Sequence, residues 1–218
     1  TPFRRILPMD EFLRRQIAGD ELYPDDADAA VATGFLLCGP DMPDLNRQDE
    51  RRSMILNEIT GTVGATLLGL QLGCAQCHDH KFEPLSQADF YRLRACFETA
   101  NFLSRGRSEE DGDKDDGKAD AWRVFRETSG PWATSHMLVR GDFSRPGPAV
   151  EPGFPRVANP MLVSLTAESK SPTGSGRRTA LAAWLTQPDH PLTARVLVNR
   201  VWQQHFVEGL VRTPSDFG

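Results

Sequence analysis

Apolar residues recur at helical spacing through the first hundred positions of the chain. The segment MDEFLRRQIAGDEL predicts an amphipathic helix with Asp10 as its N-cap, and DADAAVATGFLL predicts a shorter second helix. The most regular pattern runs from about Glu50 to Leu70, where an apolar residue recurs every four positions and forms a stripe on one helix face. The residues of this stripe are Ile55, Ile59, Val63 and Leu67.

A capping signal and then a change of pattern follow. Ser86 and Asp89 have the spacing of a capping box, which predicts that a helix begins there. One side of that helix carries Phe90, Leu93 and Phe97. After residue 120, the runs WRVFRET and TSHMLVRGDF predict short strands with a turn at residues 129–131 between them. The next run, RPGPAVEPGFPRVANP, contains five prolines, so we expect it to be extended or looped.

The C-terminal part returns to a helical pattern. The segment KSPTGSG has the composition of a linker and is the best position for a domain boundary. RRTALAAWLTQP and PLTARVLVNRVWQQHFVEG then predict two helices, and Gly209 has the position of a stop signal for the second. We expect the second helix to bury one apolar face, formed by Ala194, Leu197, Val198, Val201 and Trp202.

These patterns predict a mainly α fold with a small β or extended insert and a C-terminal helical segment. The segment SRGRSEEDGDKDDGKAD is rich in acids and has almost no apolar residues, which predicts a solvated surface insertion. We expect a helical domain over 1–104, an acidic loop insertion over 105–120, a β or extended connecting region over 121–170, and the start of a second helical domain over 171–218.

Composition narrows the classes of function. The 218 residues are 39% hydrophobic and carry a net charge of −5, which argues against nucleic acid as a partner. No apolar run reaches the roughly 18 residues that a membrane-spanning helix needs. The chain begins with Thr and stops at SDFG, so we expect it to be a piece of a larger protein whose remainder is one of its partners.

The motif with the clearest chemistry is CAQCH, residues 74–78. C-x-x-C-H is the sequence form of covalent haem c attachment. Two thiols at this spacing add to the two vinyl groups of the porphyrin, and the adjacent histidine becomes an axial iron ligand. The motif therefore predicts Cys74 and Cys77 as thioether anchors and His78 as the proximal ligand.

Other interpretations of the motif stay open. Zinc would need four ligands, such as Cys74, Cys77, His80 and either Cys38 or Cys96, but the sequence has no second C-x-x-C or H-x-x-x-H pair. A dithiol redox pair would need a βαβ setting, whereas the flanks here are helical. The cysteines could also be reduced and buried without a ligand. Cys38 and Cys96 are expected either to pair as a disulfide or to remain buried free thiols.

The distal iron ligand is not identified by the motif. His136 and Met137 lie nearly sixty residues downstream, and Met54 lies on the preceding helix, so each is a candidate. His80 is too close to His78 in sequence to reach the opposite haem face, and we expect it to bind the backbone or Asp79. Residues that suit a haem wall, and equally an ordinary protein core, are Ala65, Leu67, Leu68, Leu70, Leu72, Phe82, Pro84, Phe90 and Phe97.

Long runs around the motif resemble a known family. The segments ATGFLL and DERRSMILNEITGTVGATLLGLQLGCAQCHDHKFEPLSQADFYRLRACFETANF resemble the cytochrome c-like domain of unknown function numbered 1549, found in large planctomycete proteins. The run SGRRTALAAWLTQPDHPLTARVLVNRVWQQHFVEGLVRTPSDFG resembles the start of its usual neighbour, the domain numbered 1553. The sequence departs from the family pattern at Glu83, where Asp is typical, and in its acidic insertion.

The resemblance implies an extracytoplasmic, multi-domain protein, either periplasmic or at the cell surface, but no particular reaction. Two functions are therefore expected. The first is an electron-transfer module that carries haem c and exchanges electrons with a redox partner. The second is a structural segment of a surface carbohydrate-processing assembly, in which C-x-x-C-H binds zinc or nothing. A haem enzyme with an open distal site is a weaker third possibility, and an electron-transfer or binding module is favoured over a catalyst.

Overall fold

The computed structural model describes residues 7–42, 45–101, 125–127, 130, 132, 134–159, 165 and 174–217. The fold is mainly α with a small β insert, as the sequence predicted. The predicted acidic insertion at 105–120 lies outside the described residues. The helices are α1 (Met9–Leu22), α2 (Ala27–Ala32), α3 (Gln48–Val63), α4 (Gln87–Arg94), α5 (Arg177–Leu185) and α6 (Thr193–Phe206).

Helix α1 begins one residue earlier than its predicted cap. Pro8 occupies the N-cap position, and Asp10 lies in the first turn, so the prediction of Asp10 as the cap was wrong. An acidic side chain in the first turn still interacts favourably with the helix dipole. The helix is kinked at Ala18, after which Gly19 approaches α2 so closely that a Cβ at Gly19 would lie 2.1 Å from the backbone oxygen of Ala29.

Helix α3 confirms the predicted stripe. All four of its apolar residues are buried, and the helix continues into a π-helical turn, Gly64–Leu68. Gly69 then adopts a left-handed conformation, φ 64°, which ends the helix. The predicted capping box is also present at α4, because the Ser86 side chain accepts from the backbone of Asp89 and the Asp89 carboxylate accepts from the backbone of Ser86.

In the described part of the β insert, the strands form two antiparallel pairs. Strand β1 (Ala100–Asn101) pairs with β2 (Arg126–Glu127), and β3 (Ser135–Leu138) pairs with β4 (Pro146–Val150). The two runs predicted as strands therefore do not pair with each other. The partner of β3 is the proline-rich run, which can hold proline because a two-stranded sheet has only edge strands.

The core lies between α1, α3, α4 and α5. Helix α5 packs directly on α1, and its Trp184 stacks on Phe154 at 4.4 Å between ring centroids. Helix α6 contacts the π-helical turn. Among the described residues, no helix combines the length and hydropathy that crossing a membrane requires.

Helix α6 does not bury the predicted face. Val198, Val201 and Trp202 are 53%, 51% and 40% exposed, whereas Val196 and Asn199 are buried. The reason is polar: the Asn199 side chain both donates to and accepts from the backbone of Val211, at 2.9 and 2.7 Å. These bonds hold Asn199 on the inner side of the helix, next to the buried Val196. The helix ends at Phe206, before the predicted stop at Gly209.

Candidate functional site

The C-x-x-C-H motif begins on a short 3-10 turn, Leu72–Gln76; Cys77 is the C-cap residue of this turn and His78 follows it. In a 3-10 helix, residues three apart lie on the same side. Leu72 and Ala75 share the inner side and are fully buried, whereas Cys74 and Cys77 share the outer side and are exposed. The turn thus presents both thiols on one face to solvent.

Glu83 holds the start of this turn. Its carboxylate accepts the backbone N–H of Gln71 at 3.2 and 3.3 Å, and its side chain is largely buried. Burial raises the pKa of Glu83, and the nearby charge of Asp216 raises it further. Glu83 is a structural anchor of the turn.

Helix α4 holds the end of the turn. The backbone oxygen of Gln76 accepts from the Gln87 amide at 3.1 Å and from the Tyr91 hydroxyl at 3.0 Å. Gln87 donates as well to the backbone oxygen of Leu138, which ties β3 to the same point. Burial raises the pKa of Tyr91 to about 12, so this hydroxyl stays protonated and remains a donor.

The loop after β3 passes close to the Cys77 side chain. Gly141 has a φ of 75°, and a Cβ there would lie 2.9 Å from the Cys77 sulfur. A side chain at this position would therefore push against the thiol. The sequence indicated no role for Gly141, because its contact is with a residue more than sixty positions away.

The two histidines after the cysteines differ in which ring nitrogen carries the proton. His78 is exposed, and its Nδ1 lies 2.7 Å from the backbone oxygen of Asp79. A carbonyl oxygen only accepts, so Nδ1 carries the proton and the Nε2 lone pair is open to a metal. A histidine ligand commonly donates its second N–H to a carbonyl in this way.

His80 instead accepts at Nδ1. Two backbone N–H groups, of Phe82 and Glu83, donate to this nitrogen at 3.2 and 2.8 Å. His80 thus binds the backbone, as expected, and orders the segment that follows the motif. Its Nε2 then carries the proton and is a hydrogen-bond donor, so neither ring nitrogen has a free lone pair for a metal.

The candidate distal ligands lie on two different elements. His136 is half-buried on β3, and its Nδ1 donates to the backbone oxygen of Gly147 at 2.9 Å, which leaves Nε2 available. Met137 packs against the core. Met54 is exposed on α3, where it lines a surface cavity with Met42. Their role as iron ligands stays a prediction.

Of the residues that the sequence suggested could line a haem or form the core, most belong to the core. Phe82, beside His80, is 85% exposed, and Pro84 is also exposed. A group bound to the thiols would therefore lie on the outer face of the turn, toward solvent. The core residues are Leu67, Leu68, Leu70, Leu72, Phe90 and Phe97.

The remaining cysteines are separate from the motif. All four thiols are free; Cys38 is exposed and donates to the backbone oxygen of Gly34, while Cys96 is buried. Burial raises the pKa of Cys96 to about 12, so it stays an unreactive thiol. In the part of the chain that the structure describes, no three His, Cys, Asp or Glu side chains are grouped as a metal site.

The structure also contains a buried ionic cluster that no sequence pattern predicted. Arg178, at the start of α5, is fully buried and forms ion pairs with Asp20, Glu21 and Glu127. These residues are separated by up to 158 positions, and no local pattern connects them. Burial, partly offset by Arg178, raises the pKa of Glu21 to about 7.

The comparisons identify both ends of the chain. Residues 2–102 match the family model PSCyt2, described as a protein of unknown function (DUF1549), and residues 177–218 match PSD1, described as a protein of unknown function (DUF1553). Over those residues the chain is similar to these two families. Both families and their order agree with the predicted resemblance. Comparison with curated proteins and with solved structures gave no match.

The two family matches show which region each residue of the site and of the ionic cluster belongs to. Cys74, Cys77 and His78 lie in the DUF1549 region, whereas Arg178 and helix α6 lie in the DUF1553 region. The ionic cluster thus joins the two regions through α1 and α5. The small β insert lies between them in sequence and contributes Glu127 to the same cluster.

Proposed function

We propose that this chain is a haem c-binding electron-transfer module of a larger extracytoplasmic protein. The observation that carries the proposal is the shared outer face of Cys74 and Cys77, with His78 next to them and its Nε2 open. Two accessible thiols on one side and an oriented imidazole form the donor set that haem c attachment uses. When bound, haem would supply one-electron redox chemistry.

The residues of this chain have separate roles in the proposal. Cys74 and Cys77 would hold the porphyrin edge through thioether bonds. His78 would bind iron through Nε2, and the Asp79 carbonyl would keep the ring oriented by accepting from Nδ1. His136, Met137 and Met54 are the candidates for the opposite side of the iron.

The zinc alternative has weaker geometric support. Its fourth ligand would be Cys38, which bonds to the backbone of its own turn, or Cys96, which is buried in the core. His80 already uses Nδ1 to accept two backbone N–H groups. The positions of Cys38, Cys96 and His80 therefore favour haem over zinc as the group bound by the motif.

The exposed position of the thiols fits electron exchange with another protein or domain. A group attached to the outer face of the turn would have one edge toward solvent, where a redox partner can approach. We propose such a partner together with the rest of the full-length chain, and an extracytoplasmic location because haem c is attached there.

Export of the full chain with the haem attachment machinery, followed by a pyridine haemochrome spectrum and intact mass, tests the proposal. We expect a c-type spectrum, the added mass of one haem, and haem that stays with the protein on a denaturing gel. Changing both Cys74 and Cys77 to Ser should abolish covalent haem. The matched control Cys38→Ser, also at an exposed thiol, should retain it.

Axial ligation is tested in the same material. His78→Ala should keep thioether-bound haem but change its absorption spectrum, and the distal candidates can be compared one at a time by substitution to Ala. Wild-type protein without porphyrin mass would refute the electron-transfer function. Stoichiometric zinc in place of haem would support the structural alternative.

A further inference from the structure

Helix α6 contacts the segment that precedes the 3-10 turn Leu72–Gln76, which we call the thiol turn. The Arg200 guanidinium donates to the backbone oxygens of Ala65 and Thr66, in the π-helical turn that ends α3. Carbonyl groups in the last turn of a helix lack intrahelical partners, so a side chain from elsewhere can satisfy them. Arg200 supplies this cap from a position more than 130 residues away in sequence.

Arg200 is itself held by the residues that follow α6. Its Nε and Nη2 donate to the backbone oxygen of Pro214 at 3.2 and 3.1 Å, and Nη2 donates to the Ser215 hydroxyl at 3.2 Å. One guanidinium thus connects the end of α3 to the last segment of the chain. An arginine suits this position because its five N–H donors have a fixed planar arrangement.

The same last segment packs on Gly69. The backbone N–H of Phe217 donates to the backbone oxygen of Gly69 at 2.9 Å. A Cβ at Gly69 would lie 2.7 Å from the Phe217 ring and 2.9 Å from Val196. The close approach therefore requires glycine at a position where the left-handed backbone favours it too.

These contacts lie next to the start of the thiol turn, Leu72–Gln76, which carries Cys74. Gly69 precedes the turn Leu72–Gln76 by three residues. Asp216 is close enough to raise the pKa of Glu83, which holds the N–H of Gln71. Residues 216–217, within the DUF1553 match, thus contact the segment before the turn and lie near Glu83, which fixes its start.

We propose that residues 193–217 form a brace for the C-x-x-C-H turn, with Arg200 as its positioning residue. The haem-attachment site of the DUF1549 region is then complete only when the DUF1553 region is docked on it. This inference rests on the proposed function where it concerns haem. The positioning itself is a property of the polypeptide.

Hydrogen exchange on the full chain without haem tests the positioning. In Arg200→Ala, amides of residues 64–76 should exchange roughly tenfold faster or more, because at least two hydrogen bonds to this segment are lost. Arg200→Lys should recover part of the protection. The control Arg195→Ala, at an exposed position of the same helix, should match the wild type.

Phe217→Ala provides a second, milder test, since it removes packing on Gly69 without removing a charge. Unchanged exchange at residues 64–76 in folded Arg200→Ala and Phe217→Ala would overturn the proposal. A uniform rise in exchange across α1 and α5 would overturn it as well, because Arg200 would then be a general stability residue.

Haem loading provides the second readout. In exported protein, Arg200→Ala should lower the fraction with covalent haem several-fold, while Arg195→Ala should load normally. If wild-type protein takes up no haem, the proposed function fails, but a local change in exchange would still support the brace. If exchange rises locally and haem loading is unchanged, the proposed dependence of attachment on the DUF1553 region is refuted.

Discussion

Arg178 is the residue whose loss the structure predicts to be most damaging. Its guanidinium is fully buried between α1, α5 and β2, with 0% exposure. It bonds both carboxylate oxygens of Asp20 at 2.6 and 2.7 Å and lies 3.2 Å from Glu21 and 3.7 Å from Glu127. Three carboxylates therefore interact with one buried cation.

Arg178→Met keeps most of the length and apolar volume of the side chain but removes the charge. The three carboxylates would then face one another without a counter-charge. Removing one partner of a buried ion pair costs about 3–5 kcal/mol, because the charge left behind is uncompensated. Thr179 and Ser175 still donate to Glu21 and Glu127, which limits the loss. We expect a decrease in unfolding free energy of about 3 kcal/mol or more at neutral pH.

Urea unfolding followed by circular dichroism measures this difference if the transition is two-state. The matched control is Arg212→Met, which breaks an ion pair with Glu208 at 2.7 Å in which both side chains are mostly exposed. Exposed pairs contribute less than about 1 kcal/mol, so the control should unfold close to the wild type. A loss below about 1 kcal/mol for Arg178→Met would refute the conclusion that the cluster depends on this cation.

Two further predictions concern Glu21 and Gly141. Because the pKa of Glu21 is about 7 when folded and 4.5 in its ordinary range, this residue should add stability at low pH that is lost as pH rises through 7, by at most about 3 kcal/mol. Glu21→Gln should flatten this part of the unfolding free energy measured against pH, and an unchanged slope would contradict the assignment. Gly141→Ala should cost about 1–2 kcal/mol and alter the alkylation rate of Cys77 relative to Cys38, since the added Cβ meets the sulfur and φ is positive. The control Gly61→Ala, where a Cβ meets nothing within 4 Å, should be neutral or stabilising; equal effects of the two changes would contradict the argument.

The sequence predicted those elements that depend on contacts between residues close together in the chain. The stripe on α3 was predictable because each of its residues contacts the same core through one helix face. The capping box was predictable because both of its hydrogen bonds join residues three positions apart. The three-residue spacing of Cys74 and Cys77 is also a local signal, although the role that it predicts for them stays a prediction.

Long-range polar contacts explain where the sequence was misleading. On α6, hydrophobicity predicted that Val198, Val201 and Trp202 face inward, but Asn199 and Arg200 have backbone partners on other segments. A buried amide or guanidinium that loses its partners is costly, so these two residues set the rotation of the helix. Nothing in the sequence of α6 indicates that those partners exist.

The junction between the two family regions is ionic, although it lies in a mostly apolar core. An apolar contact between α1 and α5 specifies their register less strictly than an ion pair, because a shifted apolar contact leaves no buried charge unpaired. A guanidinium bonded to both oxygens of Asp20 fits only one register, since any shift would strand a buried charge. We infer that the cluster fixes how α5 docks on α1, and that the position of α6, which follows α5 closely, depends on it. Arg178→Met should then raise amide exchange at residues 64–76 as well as in α5, and protection retained there would show that α6 docks independently.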